Sequence, residues 1–440
     1  MQIFSLIYKN LKQYKLSQDI AWSMGSFFIL AISGIAINIV ITVNRDATEL
    51  GIFNLAYAIY IVASQFAVWG IHYSVLRFSA FYKEDLIKRS SMLITACILA
   101  FCLGLSIALI VILITPILGT LFDSYATGLA IYYAALGLVL FPLNKVLLAY
   151  LNGLREMRYF SLLQALRYSM IMLVVSIIVI SPLAIEFSTT SFLIAETTTT
   201  IAALFIIFNK RLVAKAFITL GWVKQHLAFG SKGLLSGMFT EINSRVDVIL
   251  IGFFFNEHAT GIYSFAAMLV DGLYHILAMI RINFNPILVS ATRDCNWEKA
   301  RTLRAYSKKF IFPIILILAI LIIGAYLFLA VWLIPNKNLL EGLPSLCILL
   351  LGVVGVSIFV PFDNLMIVSG HPGYQALQQL ATVGINILAA IMLLPLLGIE
   401  GAALGTAFSY ITNITLLLLF AYRILGWQLL TNQTNILAVR

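Results

Sequence analysis

Ten charged residues sit inside long apolar runs of this 440-residue chain. Five are cations (Lys145, Arg167, Lys232, Arg245, Arg281) and five are carboxylates (Glu196, Glu241, Asp247, Asp271, Asp363). A charge in such surroundings is expensive, so each needs a partner or a task. Guanidinium groups in a low-dielectric path match phosphate oxygens bidentately. Arg245 and Arg281 are therefore the first candidates for contact with an anionic group, and Lys232 lies nearer the cytoplasmic mouth. Glu241 precedes Arg245 by four residues, in the order that favours a helical ion pair, while Asp247 points elsewhere. The alternative for this pair is a structural lock. Asp271 lies near mid-membrane with His275 one turn on. It is the best candidate for ion coupling, with Glu241 second; the alternative is that Asp271 only pairs with Arg281 or another helix's cation. Arg167 follows Gln164 by three residues and faces the interior or a cavity.

Three further residues suggest glycan chemistry. Gln65, Trp69 and His72 recur at i, i+4 and i+7, which places an amide, an indole and an imidazole on one helical face. Sugar rings stack on aromatics and bond amides, although a packing seam explains the same spacing. Lys145 and Asp363 lie near cytoplasmic span ends and read as a snorkelling lysine and a helix-end contact. Glu196 lies within two turns of the outer surface and asks for no special role.

Catalytic signatures are absent from the sequence. No Gly-Lys-Ser/Thr loop, His-Glu-x-x-His or Gly-x-Ser-x-Gly occurs. The five histidines show no ligand spacing. Cys97, Cys102, Cys295 and Cys347 form no Cys-x-x-Cys pair and read as small hydrophobes. No cofactor and no metal is expected.

The elements that carry these residues follow from composition. The chain is 62% hydrophobic and only 10% charged, against roughly 25% charged in soluble domains. This excludes a secreted disulfide scaffold or a nucleic-acid binder. Runs of about 20 apolar residues predict twelve spans: 20–44, 50–76, 91–115, 126–151, 159–181, 191–208, 229–255, 259–289, 310–333, 343–368, 374–396 and 402–422. With the N-terminus inside, 21 Lys and Arg fall in cytoplasmic segments, and only Arg45 and Lys337 fall outside. That asymmetry sets the orientation and puts both termini in the cytoplasm. Residues 1–19 place Ile3, Ile7, Leu11 and Tyr14 at helical spacing among lysines. They read as an amphipathic helix on the anionic leaflet or as a frayed basic tail. Small-xxx-small pairs, Gly233…Gly237 and Gly401…Gly405, predict close helix packing.

The halves repeat. Asn44…Ala47-Thr48…Gly51-Ile52-Phe53 matches Asn256…Ala259-Thr260-Gly261-Ile262-Tyr263 with a two-residue gap. Pro142-Leu143-Asn144 matches Pro361-Phe362-Asp363, and Tyr159…Gln164 matches Tyr374…Gln379. Each half holds six spans, so the repeats are parallel. The expected organisation is an N-terminal lobe (1–208), a cytoplasmic linker (209–228) and a C-terminal lobe (229–440).

Twelve spans in two lobes, with Gly-Ile-aromatic opening the second span of each, resemble the polysaccharide transport family. These are O-antigen and lipid-linked oligosaccharide flippases of the multidrug/oligosaccharidyl-lipid/polysaccharide exporter superfamily. The resemblance implies an all-α polytopic fold around a central cavity. It also implies passage of an undecaprenyl-diphosphate-linked glycan across a bacterial inner membrane. A polysaccharide polymerase and a chain-length regulator are the partners expected beside the lipid-linked glycan and membrane lipids. A multidrug cation antiporter of the same superfamily is the alternative. A membrane glycan polymerase or ligase is a further one, disfavoured by the short outer loops.

Overall fold

The structure is a computed structural model that describes residues 2–294, 297–335 and 338–427. The side chains of 1–17, 20, 232, 233, 235, 236, 282, 283, 286 and 297 lie outside the description. The amphipathic face expected over 1–19 and the side chain of Lys232 therefore fall outside the described residues. The fold is all-helical. Among the described residues ten helices are long and apolar enough to cross a membrane, or eleven if one bent pair counts as a single span. The expected seventh span is not among them. It carries several charges and is broken in two, and either feature works against an uninterrupted apolar window.

The chain forms two compact units: Met1–Asn44 with Ile59–Gly237, and Arg45–Ala58 with Met238–Arg440. The first unit holds α1 (Gln2–Asn44), the end of α2 (Ala47–Val68), α3 (Ile71–Phe81), α4 (Leu86–Leu121), α5 (Tyr125–Gly137), α6 (Phe141–Gly153), α7 (Met157–Ile180), α8 (Thr190–Asn209) and most of α9 (Leu220–Asn243). Two expected spans are broken here. The second breaks at Trp69 and Gly70, with φ of 45° and 66°. There Gly70 meets Gly230 of α9 so closely that a Cβ would lie 2.4 Å from the Gly230 carbonyl oxygen. The fourth breaks between α5 and α6 with a 41° bend, and Pro142 opens the second half, where a missing N–H costs nothing.

The expected linker is laid against this unit. Arg89 and Tyr150 both donate to the Leu212 carbonyl, at 3.0 and 2.6 Å. Ser90 accepts from the Ala214 amide, and Ser91 donates to the Phe217 carbonyl. His226 is buried between the Ser74 hydroxyl and the Met92 carbonyl.

The second unit holds the start of α2, the end of α9, α10 (Val246–Phe254), α11 (Glu257–Arg293), α12 (Trp297–Tyr306), α13 (Phe312–Phe328), α14 (Leu343–Val356), α15 (Leu365–Val368), α16 (Pro372–Leu397) and α17 (Ile399–Leu425). Its tenth span is interrupted between α14 and α15 around Pro361, as the fourth is around Pro142. Gly401 lets α17 lie on α16, where a Cβ would come 2.4 Å from the Leu393 carbonyl oxygen.

The repeated Gly-Ile-aromatic motif has a packing cause. Asp46 Oδ1 accepts from the Glu49 amide at 2.8 Å, and Asn256 Oδ1 accepts from the Ala259 amide at 2.9 Å. The two caps begin α2 and α11 in the same way. This sets an ungapped register in which Asp46 matches Asn256 and Gly51 matches Gly261, in place of the two-residue gap expected. The match is reciprocal: Gly51 lies on the Glu257 backbone and Gly261 on the Ala47 backbone, where added Cβ atoms would sit 1.8 and 1.7 Å from carbonyl oxygens. Only a residue without a side chain permits that crossing.

Candidate functional site

In the first unit the buried charges form a lock. Glu196 on α8 is fully buried. Arg167 on α7 donates to its Oε1 through Nε and Nη2, both at 2.6 Å. Tyr60 donates to the same oxygen at 3.2 Å. Asn144 on α6 donates to Oε2 at 2.5 Å and to the Glu196 carbonyl at 2.8 Å, and accepts from Thr200 at 3.0 Å. Phe141 covers the guanidinium, its ring centre 4.9 Å away. Four helices are thereby fastened at one carboxylate. Glu196 is thus not a bystander near the surface, and the guanidinium of Arg167 is committed to it within the bundle.

The expected face of Gln65, Trp69 and His72 is interrupted, because the helix ends at Val68 and restarts at Ile71. Gln65 is half-buried and donates to Ser64. Trp69 donates through Nε1 to Ser231 at 3.1 Å. His72 sits in the first turn of α3 against the Tyr73 ring, with Nδ1 buried and without a hydrogen-bond partner. Lys145 does not reach toward the C-terminal end of α6, the direction expected of a snorkelling lysine. Its Nζ turns back over the Phe141 ring, 5.4 Å from the centroid.

In the second unit the expected helical pair Glu241–Arg245 is replaced. Helix α9 ends at Asn243, and Arg245 stands at the break as the residue before α10. Four-residue spacing no longer puts the two on one face. Arg245 instead pairs with Asp271 on α11 at 3.8 Å and lies over the Tyr57 ring at 5.1 Å. Glu241 is exposed, and so is His275. Asp247 is buried, accepting from Tyr263 at 2.6 Å, from Thr406 at 3.4 Å and from the Val248 amide at 2.8 Å.

Arg281 on α11 pairs with Asp363 Oδ2 at 2.7 Å. Asp363 is no helix-end contact but a buried hub. Its Oδ1 accepts from Asn413 at 2.8 Å and from Gln378 at 3.2 Å. This hub mirrors the first unit. The repeat matches Asn144 with Asp363, on the broken fourth and tenth spans, and the polar partner on the last span is Glu196 in one and Asn413 in the other. Acid and amide have exchanged places while the fastening is kept. The two arginines differ from Arg167: Arg245 and Arg281 each keep a buried Nε without a hydrogen-bond partner. Among the described residues no group of His, Cys, Asp and Glu could hold a metal ion.

The second unit therefore presents two arginines with spare donors, Arg245 at the break between α9 and α10 and Arg281 on α11 beside the Asp363 hub. A sequence model of the polysaccharide biosynthesis protein family matches residues 16–292, well over half of the chain. The chain belongs to that family. No curated protein sequence matches it. Among solved structures it is similar to an inward-facing multidrug resistance MATE family transporter of the MOP superfamily, at 16% identity and TM-score 0.74, covering 90% of this chain and 94% of that one. It is similar to the lipid II flippase MurJ in an inward closed conformation, at 16% identity and TM-score 0.73, covering 91% and 87%. A eukaryotic MATE transporter follows at 13% identity and TM-score 0.62, covering 94% and 97%. At these identities the likeness shows a shared fold. This member of the polysaccharide biosynthesis family is thus a multi-pass membrane protein with the fold of MOP-superfamily transporters.

Proposed function

We propose that the protein is a flippase that moves an undecaprenyl-diphosphate-linked oligosaccharide, an O-antigen or capsule repeat unit, across a bacterial inner membrane. The observation that carries this is the pair of spare donors on Arg245 and Arg281. A buried N–H without a partner costs free energy until an acceptor arrives, and a diphosphate supplies several. Family membership supports a glycan as cargo. Buried Asp247 and the MATE-like fold favour the second reading, a cation antiporter.

Flipping assays in proteoliposomes separate the two. A fluorescent undecaprenyl-diphosphate oligosaccharide should change leaflet, whereas a lipophilic cationic dye should not be driven by a pH or sodium gradient. The reverse result would replace the flippase reading with the antiporter. Coupling is assigned to Asp271, with Glu241 second. Asp271→Asn should abolish any response of flipping to an imposed gradient while keeping slow downhill movement; a wild-type response in that variant removes Asp271 from coupling.

The orientation rests on the 21-to-2 partition of Lys and Arg. Reporters fused at Gly128 and Ser188 should read outside, and one fused at Lys215 inside. An outside signal at Lys215 would invert the assigned topology.

A further inference from the structure

Residues 212–219 form no helix, yet they run in contact with the start of α4. The helix meets their backbone with hydroxyls. Ser90 accepts from the Ala214 amide at 2.8 Å, Ser91 donates to the Phe217 carbonyl at 2.7 Å, and Thr95 accepts from the Thr219 amide at 3.4 Å. From 214 to 219 the segment therefore advances along α4 in the direction of the helix. Thr95 lies roughly 13 Å from the first residue of α4, and past position 91, where the apolar run begins. The segment thus reaches the depth at which the membrane begins.

Its apolar side chains point away from the protein there. Phe217 is 80% exposed, Leu220 at the start of α9 is 79% exposed, and Ile218 is exposed between them. They adjoin a lipid-facing surface. Ile87, Ser91, Ile98, Phe101 and Leu105 fall on one face of α4. The four apolar members of that face are exposed, on a helix long and apolar enough to span. Ser91, its polar member, is the residue that holds the Phe217 carbonyl. Irregular chain is tolerated at membrane depth only where its backbone groups find partners in the protein, and Ser90, Ser91 and Thr95 supply them. Lys215 and Lys224 are exposed on either side of the apolar group, suited to lipid phosphates.

We propose that residues 214–220 are a lipid-facing strap and not a free linker. Its backbone is satisfied by α4, and Phe217, Ile218 and Leu220 enter the boundary between headgroups and acyl chains. The leaflet is the one at which α4 begins, the cytoplasmic one in the assigned orientation. The partner is the acyl chain of a membrane phospholipid, as for the apolar face of an interfacial helix.

The test is fluorescence of the full-length protein in vesicles of phosphatidylcholine and phosphatidylglycerol. Dansylalanine is incorporated in place of Phe217, of Glu84 in the charged turn before α4, or of Leu109 in the middle of α4. Two quenchers are compared: phosphatidylcholine with a nitroxide on its acyl chain, and aqueous iodide. Position 217 should behave as position 109 does, losing emission to the lipid nitroxide and keeping it in iodide, while position 84 does the reverse. Iodide quenching at 217 equal to that at 84 overturns the strap. Quenching by neither reagent means that protein, such as a second copy of the chain, covers the segment, and this overturns it equally. If the chain labelled at 217 does not fold, the same measurement at Leu220 decides by the same outcomes. Ser91→Ala/Thr95→Val should raise iodide quenching at 217, because a backbone released from the hydroxyls must turn to water. No rise in that variant overturns the role given to α4.

Discussion

Arg245→Ala is expected to abolish surface glycan export while the amount of protein in the membrane stays near wild type. The geometry separates the two effects. Arg245 stands at the break between α9 and α10 with its side chain 26% exposed, and its partner Asp271 is 38% exposed at a distance of 3.8 Å. A long, partly solvated pair contributes little to folding, and its loss leaves Asp271 with access to water. For an anionic cargo the same change removes a planar fork of donors. Two charge-assisted bonds lost together correspond to a fall in transport of at least about 100-fold. Arg245→Lys should recover part, since a point charge replaces the fork. The double change Arg245→Ala/Asp271→Ala controls for a purely structural role. Normal glycan export by that variant, measured by surface labelling, would end the case for Arg245 as a substrate contact.

The broad architecture was legible because lipid imposes a simple rule. A span must be long and apolar, and among the described residues ten helices obey it, although four of them begin or end eight to twelve residues from the expected limits. What the sequence concealed is what tertiary contacts decide. Nothing local to Trp69-Gly70 announces a break; it is fixed by Gly230, which is 160 positions away. The Glu241–Arg245 pairing assumed a continuous α9, and the helix stops between the two. The segment read as a linker is held by backbone carbonyls and amides, which any sequence provides, so hydropathy had no means of seeing it.

The repeat shows the converse. The gapped match followed residue names, whereas Asp46 and Asn256 are chemically equivalent caps five residues before their glycines. That equivalence was readable in advance, had capping chemistry outweighed identity. Likewise Pro142 and Pro361 mark the broken spans in both halves, and the residues two positions on became the hubs. The identities of Asn144 and Asp363 differ, so the shared role emerged only from their partners.

Glu196→Ala is expected to cause the largest loss of stability, about 3–5 kcal/mol, because it strands the Arg167 charge inside the first unit. Glu196 has no exposure, and Arg167 spends two donors on one of its oxygens. Neither group can turn to water when the other is removed. Arg167→Ala should cost a similar amount by leaving the carboxylate to Tyr60 and Asn144 alone. Replacing both with apolar residues of comparable volume, as in Arg167→Met/Glu196→Leu, removes both charges together. Most of the loss should then return, since Asn144 still donates to the backbone carbonyl at position 196. Unfolding in mixed detergent–SDS micelles measures the three variants. A double variant no more stable than either single one would mean the pair is not a charge lock. The same double variant also settles what Arg167 is for. If it folds and exports glycan at wild-type levels, Arg167 only holds helices together. If it folds and exports nothing, its guanidinium reaches the substrate after all, and the lock must open during transport.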